Sequence, residues 1–378
     1  MDPTHLPDGR TGWLPFLNVL RGAAALGAVL PHAVSFVCVP APWLARRLPY
    51  SVMHYGAFAV EVFFVISGYC IAAAAVKNLE CGRKIGAFAL ARWHRIYPPY
   101  WASLAVILVL IFAKDVLVRL GVVTSAGVGV TRLPDAATMA ANLSLTQPFF
   151  RSSFVSVVSW TLCYEVSFYA AVAAGMLLVP RSPIILMRLL HGVTVAVLGV
   201  QVLFPGRVPY PLDMWAMFGM GVAAFHFVRA EREHLTEKRE ATEVVAILCV
   251  LGVAAAVRGG GSVLSPMEHP ATLGFVAALA AFFLIFATRR VPATTLKDNP
   301  LLRPLEAVGV FSYSLYLIHF SCLGVAFQIM ERLPDLPALP LARLLLAIAF
   351  AVAGGYTFYR LIEQPLLAWR TINRAPSR

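Results

Sequence analysis

The feature that most constrains this chain is a succession of about ten apolar runs, most of them long enough to cross a bilayer as one helix. They fall near residues 14–37, 55–76, 97–120, 154–179, 184–204, 210–228, 244–257, 271–287, 305–330 and 341–362, the seventh being the shortest. Hydrophobic residues make up 59% of the sequence and charged residues only 13%, with a mean hydropathy of +0.75. A soluble domain is nearer half apolar and a quarter charged. Backbone groups in lipid must pair within their own segment. The expected fold is therefore all-α: a polytopic integral membrane helical bundle of about ten transmembrane helices.

Loop charge predicts the orientation. About nineteen Lys and Arg residues fall on one side of the spans and about eight on the other, and the richer side is cytoplasmic. Both termini belong to that side, which requires an even number of spans. Residues 1–13 and 367–378 then read as cytoplasmic tails of one transmembrane domain, 1–378. The first run carries Arg21 and no basic leader precedes it, so it is expected to be a retained span. The formal charge of +12 follows from the same cytoplasmic bias, and no nucleic-acid partner is expected. The six cysteines are scattered without CxxC or metal-ligand spacing and read as packing residues, so no metal is expected. Residues 229–243 mix acids and bases and read as a solvated linker. Residues 120–153, with Pro134 and Pro148, form the longest outer connection and suit a lid or substrate contacts.

Several polar residues stand where a bland bundle would place leucine. Arg21 and His32 lie eleven residues apart in the first run. On a continuous helix their directions differ by roughly 20° and they are separated by about 16 Å along the axis. Pro31 is expected to bend or end that helix. Charge inside a span is costly, so such residues usually carry a function. Glu61 opens the second run near its outer end and needs a partner; Ser67 and Gly68 further along permit close helix approach. Arg92 and Arg95, at i and i+3, share a helical face at the cytoplasmic start of the third run and suit a phosphate clamp. Glu165 lies in the fourth run, His319 near the middle of the ninth with Tyr316 one turn away, and Glu363 at the cytoplasmic end of the tenth.

Taken together, these motifs resemble the membrane acyltransferase-3 family. The resemblance rests on Arg-x10-His in the first run, Phe-Phe-x-x-Ser-Gly in the second and Arg-x-x-Arg at the third. It continues, in order, with Trp-Thr-Leu-x-x-Glu, Ser-Tyr-Ser-Leu-Tyr-x-x-His and Glu-Gln-Pro, covering about Leu14 to Leu366. Thr161 stands where the family motif suggests serine, which keeps the hydroxyl. The resemblance implies a multi-pass protein of the plasma membrane, in a bacterium the inner membrane, without an appended extracellular hydrolase-like domain. It implies transfer of an acetyl or other short acyl group from acyl-CoA to a sugar hydroxyl of a cell-surface glycan or lipid-linked sugar. Acyl-CoA, chiefly acetyl-CoA, is then a donor substrate, and no tightly bound cofactor is expected.

By the same resemblance His32 is the catalytic base or a transient acyl carrier, with Arg21 its motif partner, placed to stabilise charge on the thioester oxygen. Glu165 and His319 join them as catalytic candidates. Arg92, Arg95 and Glu363 form the donor-binding set. One rival reading is an acyltransferase for a secondary metabolite such as a macrolide. Another, of a different class, is a transporter or flippase whose intramembrane Arg, His and Glu line a path.

Overall fold

The computed structural model describes residues 14–38, 59–121, 133–258, 271–330, 332 and 340–372. Its main helices, in chain order, are α1 (Phe16–Cys38), α2 (Ala59–Glu80), α3 (Ile85–Arg119), α4 (Ala136–Ser144), α5 (Trp160–Leu178) and α6 (Pro183–Leu203). They continue with α7 (Trp215–Arg232), α8 (Lys238–Val257), α9 (Ala271–Thr288), α10 (Leu302–Val310), α11 (Ser312–Met330), α12 (Pro340–Phe358) and α13 (Gln364–Ile372). No strand occurs among the described residues. Eight helices among them are long and apolar enough to cross a membrane, and the protein is a multi-pass helical membrane bundle. The sixth and eighth expected spans correspond to α7, whose last turns carry Arg229, Glu231 and Arg232, and to α9, whose described apolar stretch is short. The expected tails at 1–13 and 373–378 lie outside the described residues.

Three boundaries differ from the sequence reading. Helix α1 runs through Pro31 to Cys38 instead of stopping there. Proline deletes one ladder donor, but an unwound turn in lipid would expose several more backbone groups, so the helix persists. Helix α3 begins at Ile85, which sets Arg92 and Arg95 within its first three turns and keeps Pro98 and Pro99 inside it. The tandem prolines remove the donors that the His94 and Arg95 carbonyls take in an uninterrupted ladder. The ninth run divides at Phe311 into α10 and α11.

The chain forms two compact units, residues 1–28, 54–91 and 164–310 in the first and 29–53, 92–163 and 311–378 in the second. In the first, α2 and α7 pack backbone to backbone. A Cβ on Gly68 would strike the Phe218 carbonyl and one on Gly221 the Val65 carbonyl, so only glycine allows this approach. Around that contact Phe218 stacks on Phe64 and on Phe168, each at 4.5 Å between ring centres. Gly22 of α1 meets the Leu305 carbonyl in the same way, and Gly309 of α10 meets that of Asn18. The stretch read as a linker, 229–243, is instead the end of α7, a short turn and the start of α8. Ion pairs tie it down: Arg229 to Glu80 and Glu233, Arg188 to Glu240, and Glu231 to Arg289 and Arg290.

In the second unit α11 and α12 form the main pair, with Gly354 against Cys322 and Gly355 against the Leu315 backbone. The outer connection is secured by Asn142, which is fully buried. Its amide donates to the Thr138 and Ser153 carbonyls at 2.8 Å each. Its Oδ1 accepts from Gln147 Nε2 and the Val155 amide at 2.9 Å, while the Tyr100 hydroxyl donates to its carbonyl. A buried polar hub is stabilising only when so fully satisfied. Residues 122–132 of that connection lie outside the described set.

Candidate active site

The second unit gathers four of the residues singled out in the sequence into two neighbouring polar groups, and holds a fifth, Arg92, on the same turns of α3. His32 on α1 and His319 on α11 meet with ring centres 5.3 Å apart and planes tilted by 38°. His319 is sealed from solvent, whereas His32 is half-buried. Local geometry fixes the tautomer of His319. Its Nδ1 lies 2.9 Å from the Tyr316 carbonyl and 3.2 Å from that of Leu315. Carbonyls only accept, so Nδ1 carries the proton and Nε2 keeps its lone pair. That Nε2 is buried with no hydrogen-bond partner.

Two flanking contacts complete this group. Phe320 meets His32 edge-on at 5.4 Å. Tyr316 stands 5.8 Å from the His319 ring, and its hydroxyl lies 2.8 Å from Thr161 Oγ1 and 3.2 Å from the Val158 carbonyl. Thr161 thus performs the hydrogen bonding a serine would. His32 and His319 are spaced 287 positions apart in sequence, and the motif reading alone had no way to show their contact.

The second group forms around Arg95. Its Nη1 donates to Glu363 Oε1 at 2.7 Å, and Ser314 donates to Glu363 Oε2 at 2.6 Å. The Arg95 guanidinium also lies 5.4 Å over the Tyr313 ring, whose hydroxyl donates to the Ile96 carbonyl. Glu363 is 1% exposed and closes a π-helical turn, Tyr359–Glu363, at the end of α12. Pro365, two residues on, lacks the amide that an α-helical ladder needs, and the Gln364 amide bonds back to the Tyr359 carbonyl instead. Both Glu363 oxygens are therefore engaged, and its geometry is that of a positioning group for Arg95. Arg92 lies one turn before Arg95 on α3, half-buried.

Arg21, Glu61 and Glu165 belong to the first unit. Glu165 accepts from Ser67 at 3.0 Å and from the Tyr169 hydroxyl one turn on, so Ser67 is a polar partner as well as a small packing residue. Glu61 packs against Gly274, where an added Cβ would come within 2.9 Å of Oε1, and its Oε2 is buried without a hydrogen-bond partner. Sequence reading passed over Asp213, which is 4% exposed and accepts from the Tyr164 hydroxyl at 2.8 Å. An acid inside an otherwise apolar run was the signal for it.

Fold and site together define a membrane-embedded bundle with a polar centre, a histidine pair and an arginine–carboxylate clamp held among spanning helices. The chain belongs to the acyltransferase-3 family, whose model, described as an acyltransferase domain, matches residues 14–360. It is similar to the peptidoglycan O-acetyltransferase OatA of Listeria monocytogenes serovar 1/2a, 26% identical over 374 residues. The match takes in 94% of this chain and 56% of that protein, so the chain spans little more than half the length of the curated relative it matches. No solved structure matches the chain significantly.

Proposed function

We propose that this protein is an acyl-CoA-dependent O-acyltransferase. In this reading it moves an acetyl or other short acyl group to a hydroxyl on a sugar of a cell-surface glycan. The observation that carries the reading is the histidine pair, an accessible His32 backed by a buried His319 with its Nε2 lone pair open. Two imidazoles in ring contact suit proton transfer, and family membership and the OatA-like sequence supply the reaction class.

Arg92 and Arg95 enter from the cytoplasmic end of α3 and take the CoA phosphates, with Glu363 and Ser314 holding Arg95 in register. His32 takes the proton from the acceptor hydroxyl, and that oxygen attacks the thioester carbonyl carbon. The tetrahedral intermediate collapses, the C–S bond breaks, and the CoA thiolate leaves with the proton that His32 returns. Because α1 is unbroken at Pro31, Arg21 keeps its separation of about 16 Å from His32 along the helix. Arg21, at that separation, is given no part at the thioester oxygen. Glu165, fixed by Ser67 and Tyr169, serves as an anchored acid on the same reading.

Purified protein incubated with labelled acetyl-CoA and cell-surface glycan tests the proposal. Label is expected in the glycan and absent with His32→Ala. Wild type that transfers nothing yet moves a solute across liposome membranes would instead establish a transporter.

A further inference from the structure

The second unit also contains a groove of about 380 Å³ that no step above uses. One wall is α3 from Ile107 to Leu117, and the other is α11 from Leu317 to Ile329, with Phe36 of α1 at its side. Ten residues of helix span about 15 Å, half of a bilayer's hydrocarbon thickness of about 30 Å. The lining is overwhelmingly apolar, but Lys114 and Arg332 stand at one end of it. By the orientation expected from loop charge, that end is at the outer surface. Lys114 makes no ion pair with any described residue. At the other end the groove shares a ring with the histidine pair: Phe320 lines the groove and meets His32 edge-on, and Phe36 packs on Phe320 at 5.2 Å.

We infer that this groove binds the lipid phosphate of a lipid-linked sugar acceptor, the apolar chain lying between α3 and α11 and the phosphate at Lys114 and Arg332. The inference rests on the acyltransferase reading and narrows its acceptor. An apolar trough one leaflet long suits a single hydrocarbon chain, and cations at its outer end complement a phosphate. A sugar joined to that phosphate is thereby tethered beside the site as an intramolecular reactant.

Two variants leave the histidine and arginine groups untouched. Lys114→Glu reverses the charge at the mouth. Gly324→Leu fills the groove, since a Cβ at Gly324 has the Phe36 ring 3.9 Å away and meets no backbone. In nanodiscs with labelled acetyl-CoA, KM for a polyprenyl-phosphate-linked sugar is expected to rise about tenfold in each variant. KM for acetyl-CoA, and transfer to the same sugar without its lipid, are expected to stay unchanged. Equal loss on both acceptors, or loss on neither, overturns the groove assignment.

A binding measurement stands apart from turnover. Native mass spectrometry of the full chain with polyprenyl phosphate is expected to show a bound lipid that Lys114→Glu weakens about tenfold and phosphatidylglycerol does not displace. Displacement by phosphatidylglycerol at equal concentration marks an ordinary membrane-lipid contact and sinks the inference. Lipid binding as expected with no transfer to any acceptor leaves the groove in place and removes the acyltransferase reading.

Discussion

Among the described residues two histidine pairs bring their rings together, one in each unit, and they differ in exposure and in how their rings meet. The ring centres of His32 and His319 lie 5.3 Å apart, those of His191 and His226 5.2 Å. In the second pair His191 Nε2 and His226 Nδ1 share a hydrogen bond at 3.0 Å, and both rings are nearly sealed, at 4% and 3% exposure. In the first, His319 spends Nδ1 on backbone carbonyls and leaves Nε2 without a partner, while His32 is only half-buried. Ring contact is thus shared, but His32 and His319 are tilted by 38° where His191 and His226 stack at 17°. Each pair leaves one buried nitrogen without a hydrogen-bond partner, His319 Nε2 in one and His191 Nδ1 in the other; the partial exposure of His32 and the mutual hydrogen bond of the sealed pair are what separate them.

The largest effect expected from breaking this comparison is at His32. His32→Ala should lower kcat by about 10²–10⁴-fold, the range for loss of a general base, while acetyl-CoA binding stays near wild type. Single-turnover transfer of label checks it, and full activity in the variant would return His32 to a packing role. A smaller effect is expected at the carboxylate of the arginine clamp. Glu363→Gln keeps the Ser314 contact but removes the charge that orients Arg95. KM for acyl-CoA should rise about tenfold with kcat little changed. A fall in kcat at constant KM would place Glu363 in the chemical step instead.

Much of this was legible in the sequence, and for definite reasons. The spans follow from apolar run length, because lipid leaves the backbone no alternative to a helix. Arg21, His32, Arg92, Arg95 and Glu363 stand out because charge in such runs is costly. The span orientation put Glu363 on the cytoplasmic side near Arg92 and Arg95. The contact of His32 with His319 was hidden, because it depends on packing that no periodicity encodes. Of the bend or end expected at Pro31, the end does not occur, because in lipid freed backbone groups find no solvent. The stretch 229–243 misled because charges that cancel on paper also describe ion pairs between helix ends, such as Arg229 with Glu80.

The sealed pair supplies the next contrast. His191→Leu breaks the hydrogen bond to His226 and leaves a buried imidazole nitrogen without its partner. A loss of about 1–3 kcal/mol in stability is expected, with kcat retained. Thermal unfolding in detergent beside a transfer assay separates the two. A large fall in kcat in a fully folded variant would erase the distinction drawn between the histidine pairs.

The carboxylate–arginine contacts repeat the contrast at lower stakes. Glu363 is sealed against Arg95, whereas Glu231 lies past the sixth expected span, outside the membrane region, and takes Arg289 at 2.6 Å and Arg290 at 2.5 Å. The hydrogen bond from Arg289, with that of Arg290, holds the Glu231 carboxyl down at about 2, against an ordinary value of 4.5. A carboxyl depressed in the folded state adds stability that is fully present above its unfolded value and is lost as pH falls through its folded one. Glu231→Gln should therefore be less stable than wild type at neutral pH, and the gap should close between about pH 4.5 and pH 2. Solvent screening at this half-buried site outside the membrane region keeps the effect the smallest of the four, and added salt should shrink it further. A gap that persisted unchanged to pH 2 would mean that shape and hydrogen bonding at position 231, rather than its charge, join α7 to the residues after α9.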